Sequence, residues 1–281
     1  MILKGLLVVV SGFVFIFSSG IPMNMISRFR PDYKREATYW GMGIWAITFF
    51  LSTFLQKFIM QIITGGQTSA NSSSIISYFG GDVVTTLLLQ LGMFYFLKSR
   101  LDKDEDIDSN GLALGFGIGM IAHVFTGLNE IGIGINIIFS HGGENLAAGS
   151  VQAATVAQIA QASVANLFAT SLSTIFFRVA LLTISAVQGY LVASAIKGKS
   201  KRFWAGILLY IVFTWGASLL ELALGEGNTG QTLGVTSTLT SVVTSVYYLA
   251  TTFFCYRWLT KELQSSNPKK FNKRSIKNVR N

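Results

Sequence analysis

The stretch from Gly111 to Ser140, GLALGFGIGMIAHVFTGLNEIGIGINIIFS, carries one formal charge, at Glu130, and one histidine, His123. As an α-helix it is about 45 Å long, more than the roughly 30 Å of hydrocarbon in a bilayer. Such a run belongs in lipid. Six further stretches have the same character: Ile2–Met25, Tyr39–Ile63, Val83–Leu97, Asn166–Ile196, Phe203–Leu224 and Thr232–Leu259. The spacing predicts an all-α bundle of seven transmembrane helices over residues 1–260, followed by a basic tail over 261–281.

Composition agrees. Of 281 residues, 51% are hydrophobic and 12% charged, whereas a soluble domain carries about a quarter charged residues. A water-soluble globule, a disordered chain and a collagen-like fibre are excluded. Cys255 is the lone cysteine, so no intramolecular disulfide forms.

The net charge of +9 is distributed by segment. Arg28, Arg30, Lys34 and Arg35 follow the first span; Lys98, Arg100 and Lys103 the third; Lys197, Lys199, Lys201 and Arg202 the fifth. The end of the chain adds Arg257, Lys261, Lys269, Lys270, Lys273, Arg274, Lys277 and Arg280. The intervening connections, Thr64–Gly80, His141–Ala165 and Gly225–Gln231, contain no lysine or arginine. By the positive-inside rule this alternation puts the N-terminus outside and the tail in the cytoplasm of a multi-pass cell-membrane protein. A cleavable signal at the start would export Arg28 to Arg35 against that bias, so the first span is read as retained. The tail is expected to lie near anionic headgroups. No folded module or aromatic interleaving in it points to nucleic acid.

Ionisable residues within spans are costly and mark functional candidates. Six qualify: Lys57, Asp82, His123, Glu130, Arg178 and Glu221. Counted along their helices, all but His123 fall in the outer quarter of the membrane, and His123 falls near the midplane. Lys57 is expected to snorkel and Asp82 to cap a helix start after Gly80-Gly81. Arg178 is expected to pair with Glu130 or Glu221, because an unpaired buried charge costs several kcal/mol. The cluster of Lys57, Asp82, Glu130, Arg178 and Glu221 is therefore read as a set of ion pairs or a ligand site. His123 and Glu130, seven residues apart on one face, are candidate catalytic residues only.

The glycine pairs Gly111/Gly115 and Gly115/Gly119 have the spacing that lets helix backbones approach. Asp106-Ile-Asp108-Ser-Asn110-Gly111 copies half a calcium loop, but its twelfth position is Gly117, so a helix start capped by Ser109 or Asn110 is preferred. His141 and Glu144 lack a third metal ligand nearby. Asn71-Ser72-Ser73 is a glycosylation sequon. The last span offers no lysine for a retinal Schiff base, and Cys255 reads as an apolar packing residue. Residues His141–Ala165 predict an outer helix that extends the fifth span or lies on the surface. No metal and no cofactor are expected.

Gly115-Phe-Gly-Ile-Gly119 on a helix after a charged cytoplasmic loop resembles YhfC-type intramembrane proteases. So does the succession Phe177-Arg-Val-Ala-Leu, Leu191-Val-Ala-Ser-Ala-Ile-Lys-Gly-Lys199 and Phe203-Trp204. That family belongs to the glutamate-dependent group that includes CAAX-type proteases. The resemblance implies a Glu-Glu pair and an arginine in the third span, where this chain reads Asp82-Val-Val-Thr-Thr86-Leu-Leu-Leu-Gln90. It implies a polar residue after the glycine run, where Met120 stands, and a later histidine near Arg178. The resemblance therefore implies a non-catalytic relative that binds a lipid, a peptide or a partner helix of another membrane protein in an outward-facing polar cavity. The alternatives are a transporter or a membrane subunit of one, and an intramembrane peptidase with a rearranged site.

Overall fold

The computed structural model describes residues 1–18, 35–63, 72–101, 106–139, 151–225 and 235–266, and all regular structure in them is helical. The helices are α1 (Ile2–Ser18), α2 (Arg35–Ile63), α3 (Ser72–Phe96, ending in a π turn over Leu97–Leu101) and α4 (Ile107–Phe139). They continue as α5 (Val151–Gln161), α6 (Val164–Ile196), α7 (Lys201–Ala223) and α8 (Thr238–Ser266). Arg28, Arg30, Lys34, Asn71, Lys103, His141, Glu144 and the tail beyond Ser266 lie outside the described residues.

Six helices, α2, α3, α4, α6, α7 and α8, are long and apolar enough to cross a membrane. The seventh expected span, α1, has 17 described residues and a length of about 26 Å, somewhat below the hydrocarbon thickness. The faces that α2, α7 and α8 turn outward carry exposed Phe50, Phe54, Trp204, Val246 and Phe254. An aqueous surface rarely tolerates so much contiguous apolar area, and lipid accepts it.

Two helices make the centre. α4 is buried along most of its length against α1, α2 and α6, and glycine makes this possible on each side. A Cβ on Gly115 would collide with the Ser185 carbonyl oxygen of α6, and one on Gly189 with that of Gly111. On the α2 side Gly117 faces the Thr38 carbonyl, and on the α1 side Gly12 and Gly127 each face the other's carbonyl oxygen. The GxxxG spacing thus does serve close backbone approach, and the same device recurs on two more faces of the helix.

Several local expectations are corrected. α3 begins at Ser72 rather than Val83, because the serines and glycines before Asp82 lower hydropathy without breaking a helix. Asp82 therefore sits inside α3 and does not cap its start. At the start of α4 the Asp106 carbonyl accepts the Ser109 and Asn110 N–H groups and its Oδ1 accepts the Ser109 hydroxyl at 3.0 Å, so Ser109 and Asn110 lie inside the helix, while Asp108 pairs with Lys197 at 2.8 Å. The expected outer helix is α5, separated from α6 by Ser163, whose side chain accepts the Asn166 N–H. Gly198, with φ +95°, turns the chain from α6 into α7. α8 runs past residue 260 to Ser266. Cys255 is buried among Ala180, Val187, Phe213 and Tyr248, in keeping with apolar packing.

Candidate functional site

Glu130 is 2% exposed, on the face of α4 that meets α1. Its Oε2 accepts a 2.7 Å hydrogen bond from the Ser11 hydroxyl of α1. The approach depends on the neighbouring glycine pair, Gly12 against Gly127, which draws the two backbones together. Sequence reasoning missed Ser11: a lone serine in an apolar run gives no signal in hydropathy, although a hydroxyl beside a small residue is the usual material of interhelical hydrogen bonds.

His123 lies two turns away on the same helix and is 1% exposed. Its Nδ1 sits 2.8 Å from the Gly119 carbonyl oxygen. A carbonyl accepts only, so Nδ1 carries the proton and Nε2 presents a lone pair in a neutral ring. Nε2 is buried beside the Arg178 backbone, with no partner at full hydrogen-bond geometry among the described residues.

Arg178 comes from α6. The antiparallel register of α4 and α6, in which Gly115 meets Ser185 and Gly119 meets Leu182, continues to bring Arg178 level with His123. Its charge acts on both His123 and Glu130, and the phenols of Tyr210 on α7 and Tyr248 on α8 act on it in turn. The guanidinium carbon lies 5.3 Å from the Phe177 ring centroid, a cation–π distance. Its Nε is buried and without a hydrogen-bond partner among the described residues.

The six ionisable candidates therefore divide. Glu130, His123 and Arg178 share one interior region. Asp82 is half-buried on α3 and meets Thr214 of α7. Lys57 is exposed; its neighbour Gln56 turns inward to donate to the Gly81 carbonyl at 3.2 Å, which points residue 57 away from α3. Glu221 is half-buried near the end of α7.

A second polar zone joins α6 and α8. Ser173 and Thr244 are 2.8 Å apart through their hydroxyls, and Thr238 donates to Asn166 at 2.7 Å. These groups satisfy one another and act as interhelical ties.

Chemically, the Glu130–His123–Arg178 region offers a carboxylate with one donor already bound, a ring nitrogen able to accept, and a guanidinium able to donate. A polar group carrying both a donor and an acceptor would satisfy His123 and Arg178 together. No family model, curated protein or solved structure matches the chain.

Proposed function

We propose that this multi-pass membrane protein holds the polar group of a lipid, a peptide or a partner helix against His123 and Arg178, with Glu130 as the neighbouring acid held in place by Ser11. The observation that carries this reading is the pair of buried, unpartnered atoms, His123 Nε2 and Arg178 Nε. Buried polar groups are almost always hydrogen-bonded, and these two come from different central helices at one level.

Binding is favoured over catalysis by how the groups are held. Glu130 is tied to Ser11, and it stands about 10 Å along the helix from His123, beyond the direct bond an acid–base pair needs. This agrees with a non-catalytic relative of the YhfC-type proteases in the cell membrane. The outward-facing orientation has its own support. Lys4 at the start of α1 donates to the Ala160 carbonyl of α5 at 2.7 Å. The far end of α8 meets the Lys197–Arg202 turn through Arg202 and Glu262 at 3.0 Å. With the basic turn in the cytoplasm, the two chain ends fall on opposite sides, as seven passes require.

The test is the cargo of the purified protein. Protein extracted from its own membrane should carry a lipid or peptide detectable by native mass spectrometry, reduced in Arg178→Gln and in Glu130→Gln with membrane insertion intact. Equal cargo in all three proteins would overturn the proposal.

A further inference from the structure

A separate row of polar side chains lies on α3, where Asp82, Thr86 and Gln90 succeed one another at intervals of four residues along one face. Thr86 and Gln90 are each 0% exposed. Asp82 is half-buried, with its Oδ2 inside. Asp82 Oδ2, Thr86 Oγ1 and both amide atoms of Gln90 have no hydrogen-bond partner among the described residues. Three successive side chains with orphaned atoms in one helix seam are costly in an apolar interior.

The facing helix sharpens the chemistry. α3 and α7 run antiparallel in a definite register: Asp82 meets Thr214, and eight residues on, the Gln90 amide presses on Gly206. Gly206 also gives its carbonyl oxygen to Gln188 of α6 at 3.1 Å. The Thr214 hydroxyl has one proton and two acceptors within reach, the Tyr210 carbonyl of its own helix at 3.1 Å and the Asp82 carboxylate. With a cation beside Asp82 the proton goes to the Tyr210 carbonyl and the Thr214 oxygen turns a lone pair to the ion, and Thr86 adds another oxygen one turn deeper. A carboxylate oxygen and a hydroxyl left without partners in a seam of low polarity are costly unless something positive lies between them.

We propose that Asp82, Thr86 and Thr214 bind a small monovalent cation of the sodium class. The oxygens are hard donors, and a single carboxylate balances one positive charge. A divalent ion would want further acidic ligands, and no group of three His, Cys, Asp or Glu side chains comes together among the described residues. Gln90 Oε1 forms the floor. Beyond it the seam closes on Leu89, Met93 and Leu97 of the apolar core, so the ion enters and leaves at the Asp82 end. The site uses none of His123, Glu130 and Arg178 and stands whether or not those residues hold a ligand.

The experiment is equilibrium binding of radioactive sodium to the purified full-length chain. It is paired with thermal unfolding in sodium chloride and in N-methylglucamine chloride of equal ionic strength. Saturable binding of one ion per chain is expected, with a sodium-specific rise in the unfolding midpoint, since an ion that binds only the folded state stabilises it. Asp82→Asn should abolish both, Thr86→Val should weaken affinity about tenfold, and Lys57→Gln should change neither. Absence of saturable binding, or binding that survives Asp82→Asn, overturns the assignment. If Asp82→Asn yields no folded protein, Thr86→Val decides, and unchanged affinity there rejects the site.

Discussion

Ser11 and Glu130, 119 positions apart in the chain, share a 2.7 Å hydrogen bond in the interior of the bundle. The bond fixes the rotation of α1 about its own axis and gives the buried carboxylate a side-chain donor. Ser11→Ala should leave that acceptor short of a donor and cost about 1–3 kcal/mol. The same substitution in a Glu130→Gln background should cost less. Equal costs in the two backgrounds, measured by detergent unfolding, would show that the pair is not coupled.

The close approach of α4 and α6 predicts a sharp contrast between glycines. Gly115→Ala forces a methyl into the Ser185 carbonyl and should destabilise by about 3 kcal/mol or more, since two backbones must separate. Gly132 has open space at its Cβ position, and Gly132→Ala should be neutral or stabilise by up to about 1 kcal/mol through helix propensity. Monodispersity on size exclusion and the unfolding midpoint distinguish the two outcomes.

Where α6 meets α8, Ser173→Ala should cost only about 0.6 kcal/mol, the usual worth of an interhelical hydroxyl bond in a membrane protein. A loss several times larger would mean that this contact contributes more than a tie. A double-mutant cycle with Thr244→Ala measures it.

At the basic end, Arg202 pairs with Glu262 at 3.0 Å, donates to Ser194 at 3.3 Å and lies 5.9 Å from the Trp258 ring centroid. Both ionic side chains are partly open to solvent, so Glu262→Gln should cost less than about 1 kcal/mol and matter less at high salt. Arg202→Ala should cost more, because it also removes the contact with Trp258. The order of the two midpoints checks this.

Orientation is read out by thiol labelling in whole cells. In a Cys255→Ser background, Lys199→Cys should react with a membrane-impermeant reagent only after lysis, and Thr236→Cys before it. The reverse pattern would invert the bundle.

The sequence foretold some of this and not the rest, for physical reasons. Long apolar runs bounded by charge located α6 and α7 almost to the residue, since Lys197 to Arg202 forms a polar break no helix interior would carry. α3 was shortened because hydropathy cannot see a helix made of serine and glycine. Glu130, His123 and Arg178 stood out as charges or near-charges in lipid, a cost any sequence reveals. Their partners did not. Ser11 is a small hydroxyl indistinguishable from dozens of others, and the row from Thr86 to Gln90 is neutral, so neither disturbs a charge count. Lys57 is exposed, in keeping with a snorkelling side chain, and stands apart from the cluster because depth along a helix says nothing about which way a face turns; Gln56 beside it claims the inward direction.

The seating of α1 on α4 bears on how the chain is made. α1 is translated well before α4, and the surface it locks onto, Gly127, Glu130 and Gly134, follows more than a hundred residues later. α1 thus waits for α4 before it can dock, and a nascent chain arrested ahead of Glu130 leaves it without that surface.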